Sequence, residues 1–149
     1  MIIRPMAVKD LYRVSEIEAI SNPEPWTYAD FEDSLAKEDG TTVLLVAEDV
    51  DVIGYLVLYT ASGESEIVTI GVSPEARRKG VGRRLIDEVI AFSKKSYIYI
   101  EEINLEVRIS NEPAIKLYES VGFSAVGKRP NFYSNPKEDA LLMKRILNA

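Results

Sequence analysis

The chain has no cysteine and no histidine in 149 residues. The first absence removes disulfides, thiolate nucleophiles and any acyl-enzyme held on a protein thiol. The second removes the side chain most used to move protons near neutral pH, so that work falls to Glu, Asp, Tyr, Lys or water. A zinc site would have to be all carboxylate, a poor donor set for that ion, and no metal is expected. No apolar run approaches the ~20 residues that span a bilayer. Met1-Ile2-Ile3-Arg4-Pro5 has no signal-peptide pattern and reads as a first strand. The expectation is a cytoplasmic chain with no membrane partner. Basic residues are in the minority, 18 against 24 acidic, for a formal net charge of -6. That balance argues against a nucleic-acid partner and suits a cationic substrate.

What is present fits one domain over residues 1–149, with 46% hydrophobic residues to supply a continuous core. No internal repeat, low-complexity stretch or interdomain linker interrupts it. Ile2 to Arg4 reads as a strand. Val8, Leu11, Val14 and Ile17 recur at helical spacing and predict a helix over Lys9 to Ile20, broken by Asn22-Pro23-Glu24-Pro25. Thr27 caps a second helix to about Lys37, with Tyr28, Phe31 and Leu35 on one face. Thr42–Glu48 and Val52–Thr60 read as a hairpin, and Glu66–Val72 as the next strand. A long helix follows, with Val81, Leu85, Val89 and Phe92 on one face, flanked by Ile86 and Ile90, ending near Ser96. Ile103–Ile109 is a strand. Asn111 and Pro113 open a helix that Gly122 caps. Phe123–Gly127 and Ala140–Ile146 close the chain as strands. The order β-α-α-β-β-β-α-β-α-β-β predicts a mixed α/β sheet with helices on both faces.

The densest chemical signal is Arg77-Arg78-Lys79-Gly80-Val81-Gly82, placed between an apolar strand and an amphipathic helix. Five of the eight residues from Arg77 to Arg84 are basic. Free N–H groups at a helix start favour an anion, and glycine lets the backbone approach it. A phosphate site and a solvated basic loop are both open on this stretch alone. The G-K-[ST] ending of a nucleotide-triphosphate loop is absent, and a dinucleotide fold would want a parallel βαβ unit with a downstream acid.

Val72 to Gly82 resembles the acyl-CoA signature of the GNAT acetyltransferase superfamily. A second block, Asn104-Leu105-Glu106-Val107-Arg108-Ile109-Ser110-Asn111 through Leu117-Tyr118-Glu119 to Phe123, is similar to that of RimI-type and archaeal protein N-terminal acetyltransferases. Asn131-Phe132-Tyr133 with Glu138 to Met143 resembles their final hairpin, and Glu24-Pro25-Trp26 lies near a proline-aromatic pair that they carry. The resemblance spans nearly the whole chain. It implies a GNAT fold of roughly seven strands and about four helices.

It also implies acetyl-CoA as co-substrate. Arg77, Arg78, Lys79, Gly80, Val81, Gly82 and Arg83 would hold its phosphates, with Arg84 nearby, and Ile70 and Val72 would offer backbone groups to its pantetheine arm. Asn111 would bond that arm or serve as a helix cap. Glu106 matches the general base, with an ordered water as relay or a pKa raised by burial. Tyr118 matches the general acid toward the leaving thiolate, unless it is only a core tyrosine. Glu66 is either a second proton acceptor or a surface carboxylate. Glu24, Tyr28, Tyr133 and Phe132 would frame the acceptor, Tyr133 foremost, with Phe132 standing where the family has a tyrosine.

The implied reaction is acetyl transfer to the N-terminal α-amino group of a ribosomal protein or nascent chains, in a ternary complex. A small amine such as a polyamine, amino sugar or antibiotic, and a non-catalytic acyl-CoA-binding module, stay as alternatives. The protein would work as a monomer or homodimer.

Overall fold

The computed structural model describes residues 1–95 and 100–147. Its strands are β1 (Ile2–Pro5), β2 (Thr42–Asp49), β3 (Asp51–Ala61), β4 (Gly63–Val72), β5 (Ile100–Arg108), β6 (Ser124–Tyr133) and β7 (Glu138–Ile146). Its α-helices are α1 (Leu11–Ser21), α2 (Tyr28–Leu35), α3 (Val81–Lys95) and α4 (Glu112–Ser120). Short 3-10 turns at Val8–Asp10 and Pro74–Ala76 precede α1 and α3. The expected element order therefore holds. The expected end of the long helix at Ser96 lies outside the described residues.

The seven strands form one sheet in the order β1-β2-β3-β4-β5-β7-β6. Every pairing is antiparallel except β4 with β5. Strand alternation feeds two cores. Leu56 and Leu58 of β3 point to one side, with Val81, Leu85, Ile86 and Val89 of α3. Tyr55 and Val57 point to the other, with Leu11, Val14 and Ile17 of α1 and Phe31 of α2. That is why β3 reads as an unbroken apolar run instead of alternating.

Local rules decide most boundaries. Thr27 accepts from the Asp30 N–H, and Asp30 accepts from the Thr27 N–H, a reciprocal cap on α2. Asn111 caps α4 through the Ala114 N–H, and Gly122 follows the helix with φ +94°. Two expected apolar faces are corrected. Tyr28 is exposed, and Ser34 takes a buried place beside Phe31 and bonds the Tyr59 hydroxyl. The cause is Trp26, which precedes the cap and packs edge-on against Phe31 at 5.2 Å, filling the space at the head of α2. On α3, Phe92 is exposed while Ile86 and Ile90 are buried, so the stripe is rotated toward the two isoleucines.

Candidate active site

The site follows from where β4 and β5 part. They are paired only from Gly63–Ile100 to Glu66–Asn104. Beyond that, Ile67–Val72 and Leu105–Arg108 have no register with each other, and a cavity of about 340 Å³ opens between them. Its walls include Glu66, Ile70, Glu106, Asn111, Tyr118 and Tyr133. Against β3, β4 also carries a bulge: Leu58 faces Ile67 and Val57 faces Thr69, leaving Val68 as an extra residue. Bulges twist and re-aim a strand, here at the mouth of the gap. Ser73 donates its N–H to Ile53 O on β3. Alternation then turns the backbone groups of Ile70 and Val72 toward the gap.

One end of the gap meets the start of α3. Arg78 and Gly80 both have positive φ, 64° and 80°. Glycine is the residue suited to that conformation, and this turn delivers the chain into the helix at Val81. Arg84 is the first α3 residue whose N–H finds a helical acceptor, Gly80 O at 3.0 Å. The N–H groups of Val81, Gly82 and Arg83 precede it and have no helical acceptor. A Cβ on Gly82 would meet Leu117 Cδ2 at 3.0 Å, so glycine also lets α3 approach α4. Arg78, Lys79, Arg83 and Arg84 are exposed around this turn. Arg77 is different. Its Nε donates to Val72 O and its Nη2 to Ser21 Oγ, both at 3.1 Å. The expected phosphate ligand is thus engaged in tying the end of β4 to the end of α1.

The proton-handling candidates gather at the other end. Glu66 and Glu106 lie on adjacent strands and line the same cavity. Glu66 is exposed along its strand face. Partial burial and the Glu106 charge push its carboxyl above the ordinary value, and Arg129 opposes the shift. Glu106 Oε1 accepts from Arg129 Nη1 at 3.2 Å. Tyr118 is 7% exposed and packs against Phe123, ring centroids 5.9 Å apart. Burial pushes its hydroxyl pKa upward, so it stays protonated and offers a donor to the gap. Tyr133 is half-buried, and burial with the Glu106 charge pushes it up to about 12.

Three polar residues without a place in the sequence argument organise this end. Arg108 reaches the β6–β7 hairpin, donating to Ser134 O at 2.7 Å and Pro136 O at 2.8 Å. It pairs with Glu138 at 3.2 Å and lies 4.5 Å from the Tyr133 ring centroid. Arg129 restrains Glu106. Glu18, 1% exposed on α1, accepts from the Tyr55 hydroxyl at 2.6 Å, Thr69 Oγ1 at 2.8 Å and the Trp26 N–H at 3.0 Å. It is a buried carboxylate held by neutral donors, and it anchors β4 beside its bulge. Its signal was a lone acid among Val14 and Ile17 on the buried face of α1.

Of the expected acceptor residues, Tyr133 and Phe132 line the cavity. Glu24 accepts from the Ser134 N–H at 2.6 Å and lies 3.7 Å from Arg108, so it latches the α1–α2 loop to the hairpin. Tyr28 is exposed and is not among the residues that line the cavity. Among the described residues no cluster of three His, Cys, Asp or Glu could hold a metal ion, and no helix is long and apolar enough to cross a membrane.

Comparison with known proteins agrees with this geometry. The model of the acetyltransferase (GNAT) family matches residues 7–123. The chain is 35% identical to the N-alpha-acetyltransferase RimI of Mycobacterium tuberculosis, covering 91% of this chain and 86% of that one. It is 34% identical to the N-alpha-acetyltransferase of Saccharolobus solfataricus, covering 97% and 92%. The crystal structure of the ribosomal-protein-S18-alanine N-acetyltransferase from Escherichia coli superposes with a TM-score of 0.86 at 27% identity, covering 99% and 94%. With its splayed strands, its glycine turn at a helix start and this sequence match, the chain belongs to the GNAT acetyltransferase family.

Proposed function

We propose that the protein transfers an acetyl group from acetyl-CoA to the N-terminal α-amino group of a protein or peptide. The observation that carries this reading is one cavity in which Glu106 and Tyr118 both line the opened β4–β5 gap. The residues fit the donor. The orphan N–H groups of Val81 to Arg83 and the exposed Arg78, Lys79 and Arg83 suit its phosphates. The backbone of Ile70 and the N–H of Val72, whose carbonyl Arg77 holds, suit its pantetheine arm, and Asn111 borders the gap beside Ile70.

The incoming α-ammonium must lose a proton before it attacks. Its pKa of ~7.7–8.0, against ~10.4 for lysine, makes deprotonation about 3–4 kcal/mol cheaper. A carboxylate acting through a water suffices for the former, and Glu106 takes that role with Glu66 beside it. The neutral amine adds to the acetyl carbonyl to form the C–N bond, collapse of the adduct breaks the C–S bond, and the second amine proton leaves nitrogen to neutralise the departing thiolate, directly or through solvent. Tyr118 donates a hydrogen bond to the departing thiolate. Its raised pKa makes it a stabilising donor more than a full proton source. Tyr133 and the hairpin latched by Arg108 and Glu24 border the acceptor side. A cytoplasmic location suits acceptors presented on ribosomal or nascent chains.

The test compares peptides of one sequence, each containing lysine, with free or blocked α-amines. Acetylation confined to the free α-amine, read by mass spectrometry, supports the proposal. Equal rates on the blocked peptides overturn it.

A further inference from the structure

Arg129 stands apart from the rest of the site. It leaves β6 just before the strand loses register with β7 between Arg129 and Tyr133. Its side chain is 54% exposed and makes one hydrogen bond, to Glu106. The guanidinium also lies 5.1 Å from the Phe132 ring centroid. Beyond it is a second hollow of about 620 Å³, which shares Glu66, Leu105 and Glu106 with the gap. Lys37, Arg129 and Lys144 line this hollow together with Glu64, Glu66 and Glu106, so its charges balance and only a cation released from its present partner can receive an anion there. Lys144 is committed to Glu102 at 3.0 Å, and Lys37 lies over the Tyr59 ring.

This arrangement conflicts with the proposed chemistry unless something changes on binding. An ammonium brought to Glu106 meets the positive guanidinium that already holds the carboxylate, and like charges repel. A half-exposed ion pair is worth little in free energy, so Arg129 can exchange partners readily. The natural replacement is a carboxylate on the acceptor itself. The second residue of a peptide lies one Cα step, ~3.8 Å, beyond the residue that carries the amine. Its side chain then has the 620 Å³ hollow to occupy.

We propose that Arg129 is a specificity-determining residue: it leaves Glu106 to pair with an Asp or Glu side chain at the second position of the acceptor. The exchange frees Glu106 to accept the amine proton more readily when an acidic acceptor is in place. This rests on the N-terminal acetyltransferase reading.

The test uses peptides identical except for Glu, Gln or Lys at position two, each with a free and a blocked α-amine. They are assayed with the wild-type protein, Arg129→Gln and Arg129→Glu. The expected wild-type preference for Glu over Gln is about tenfold in kcat/KM, the scale of one charge-assisted contact, carried mostly in kcat. Arg129→Gln brings the ratio to about one, and Arg129→Glu reverses it toward Lys. A merely structural role would lower all three peptides together and leave their ratios unchanged, which overturns the assignment. So does a wild-type protein that acetylates only free α-amines but ignores position two. Equal acetylation of free and blocked peptides overturns the underlying reading and this assignment with it.

Discussion

At the end of the gap proposed for the acetyl donor, a run of consecutive residues from Arg78 to Arg83 presents the helix-start N–H groups and most of the positive charge. At the acceptor end, Glu106 comes from β5, Arg129 and Tyr133 from β6, and Glu24 from the α1–α2 loop, with Ser134 and Glu24 bonded across 110 positions. The contrast follows from what each end must do. Binding phosphate needs orphan amides and cations, which a single turn supplies. Moving protons needs opposed charged side chains at controlled distances, which only strands remote in sequence bring together. The donor end is thus a motif, and the acceptor end is a product of register.

The largest effect that tests this division comes from the chemistry between the ends. Glu106→Gln combined with Tyr118→Phe is expected to lower kcat/KM by ~10³-fold or more. Acetyl-CoA affinity by calorimetry should stay within a few-fold of wild type. A comparable loss of affinity would break the claim that the ends are separable.

Arg108→Ala removes the anchor of the hairpin and is expected to raise the acceptor KM by about tenfold or more. Because the phosphate turn lies elsewhere, acetyl-CoA affinity again serves as the control. Gly80→Val does the reverse. A β-branched residue at φ +80° is strained by ~1–3 kcal/mol. The turn should distort and weaken acetyl-CoA about tenfold, with the acceptor KM little changed. If both constants moved together in either variant, the two ends would be one cooperative unit.

The smallest expected effect on activity is at a site remote from both ends. Asp10 accepts from Arg4 at 2.7 and 2.9 Å and from the Ala7 N–H at 2.8 Å. Its hydrogen bond with Arg4 holds its carboxyl below the ordinary value, against the opposing cost of burial. A carboxylate with a lowered folded pKa contributes stability above its unfolded pKa, and that contribution fades as pH falls through the folded value. Asp10→Asn should therefore cost ~1–2 kcal/mol at pH 7 in urea unfolding, a gap that starts to narrow below about pH 4 and is gone once pH falls below the lowered folded value. Both kinetic constants should remain near wild type.

Legibility in the sequence divided along the same line. The element order, the caps at Thr27, Asn111 and Gly122 and the glycine turn could be read because each depends on a few neighbouring residues. Glu106 and Tyr118 could be named through their blocks, and Glu66 and Tyr133 also line the cavity. Arg77 looked like its basic neighbours, yet a strand end and Ser21 claim it. Glu24 and Tyr28 were both expected as acceptor contacts; Glu24 accepts from Ser134 and lies beside Arg108, and Tyr28 is exposed and outside the cavity lining.

Taken by itself, the sequence determined which segments are helix or strand, where they stop and where a glycine turn opens a helix, because backbone hydrogen bonding and steric preference act over a few residues. It also excluded thiol and imidazole chemistry outright. Only the tertiary structure decided that β4 and β5 part after Glu66 and Asn104, that Arg129 restrains Glu106, and that Glu18 lies buried among donors from Tyr55, Thr69 and Trp26. Those outcomes depend on which strands are neighbours and in what register. Such pairings lower the free energy of the whole sheet and are specified by no single stretch of chain.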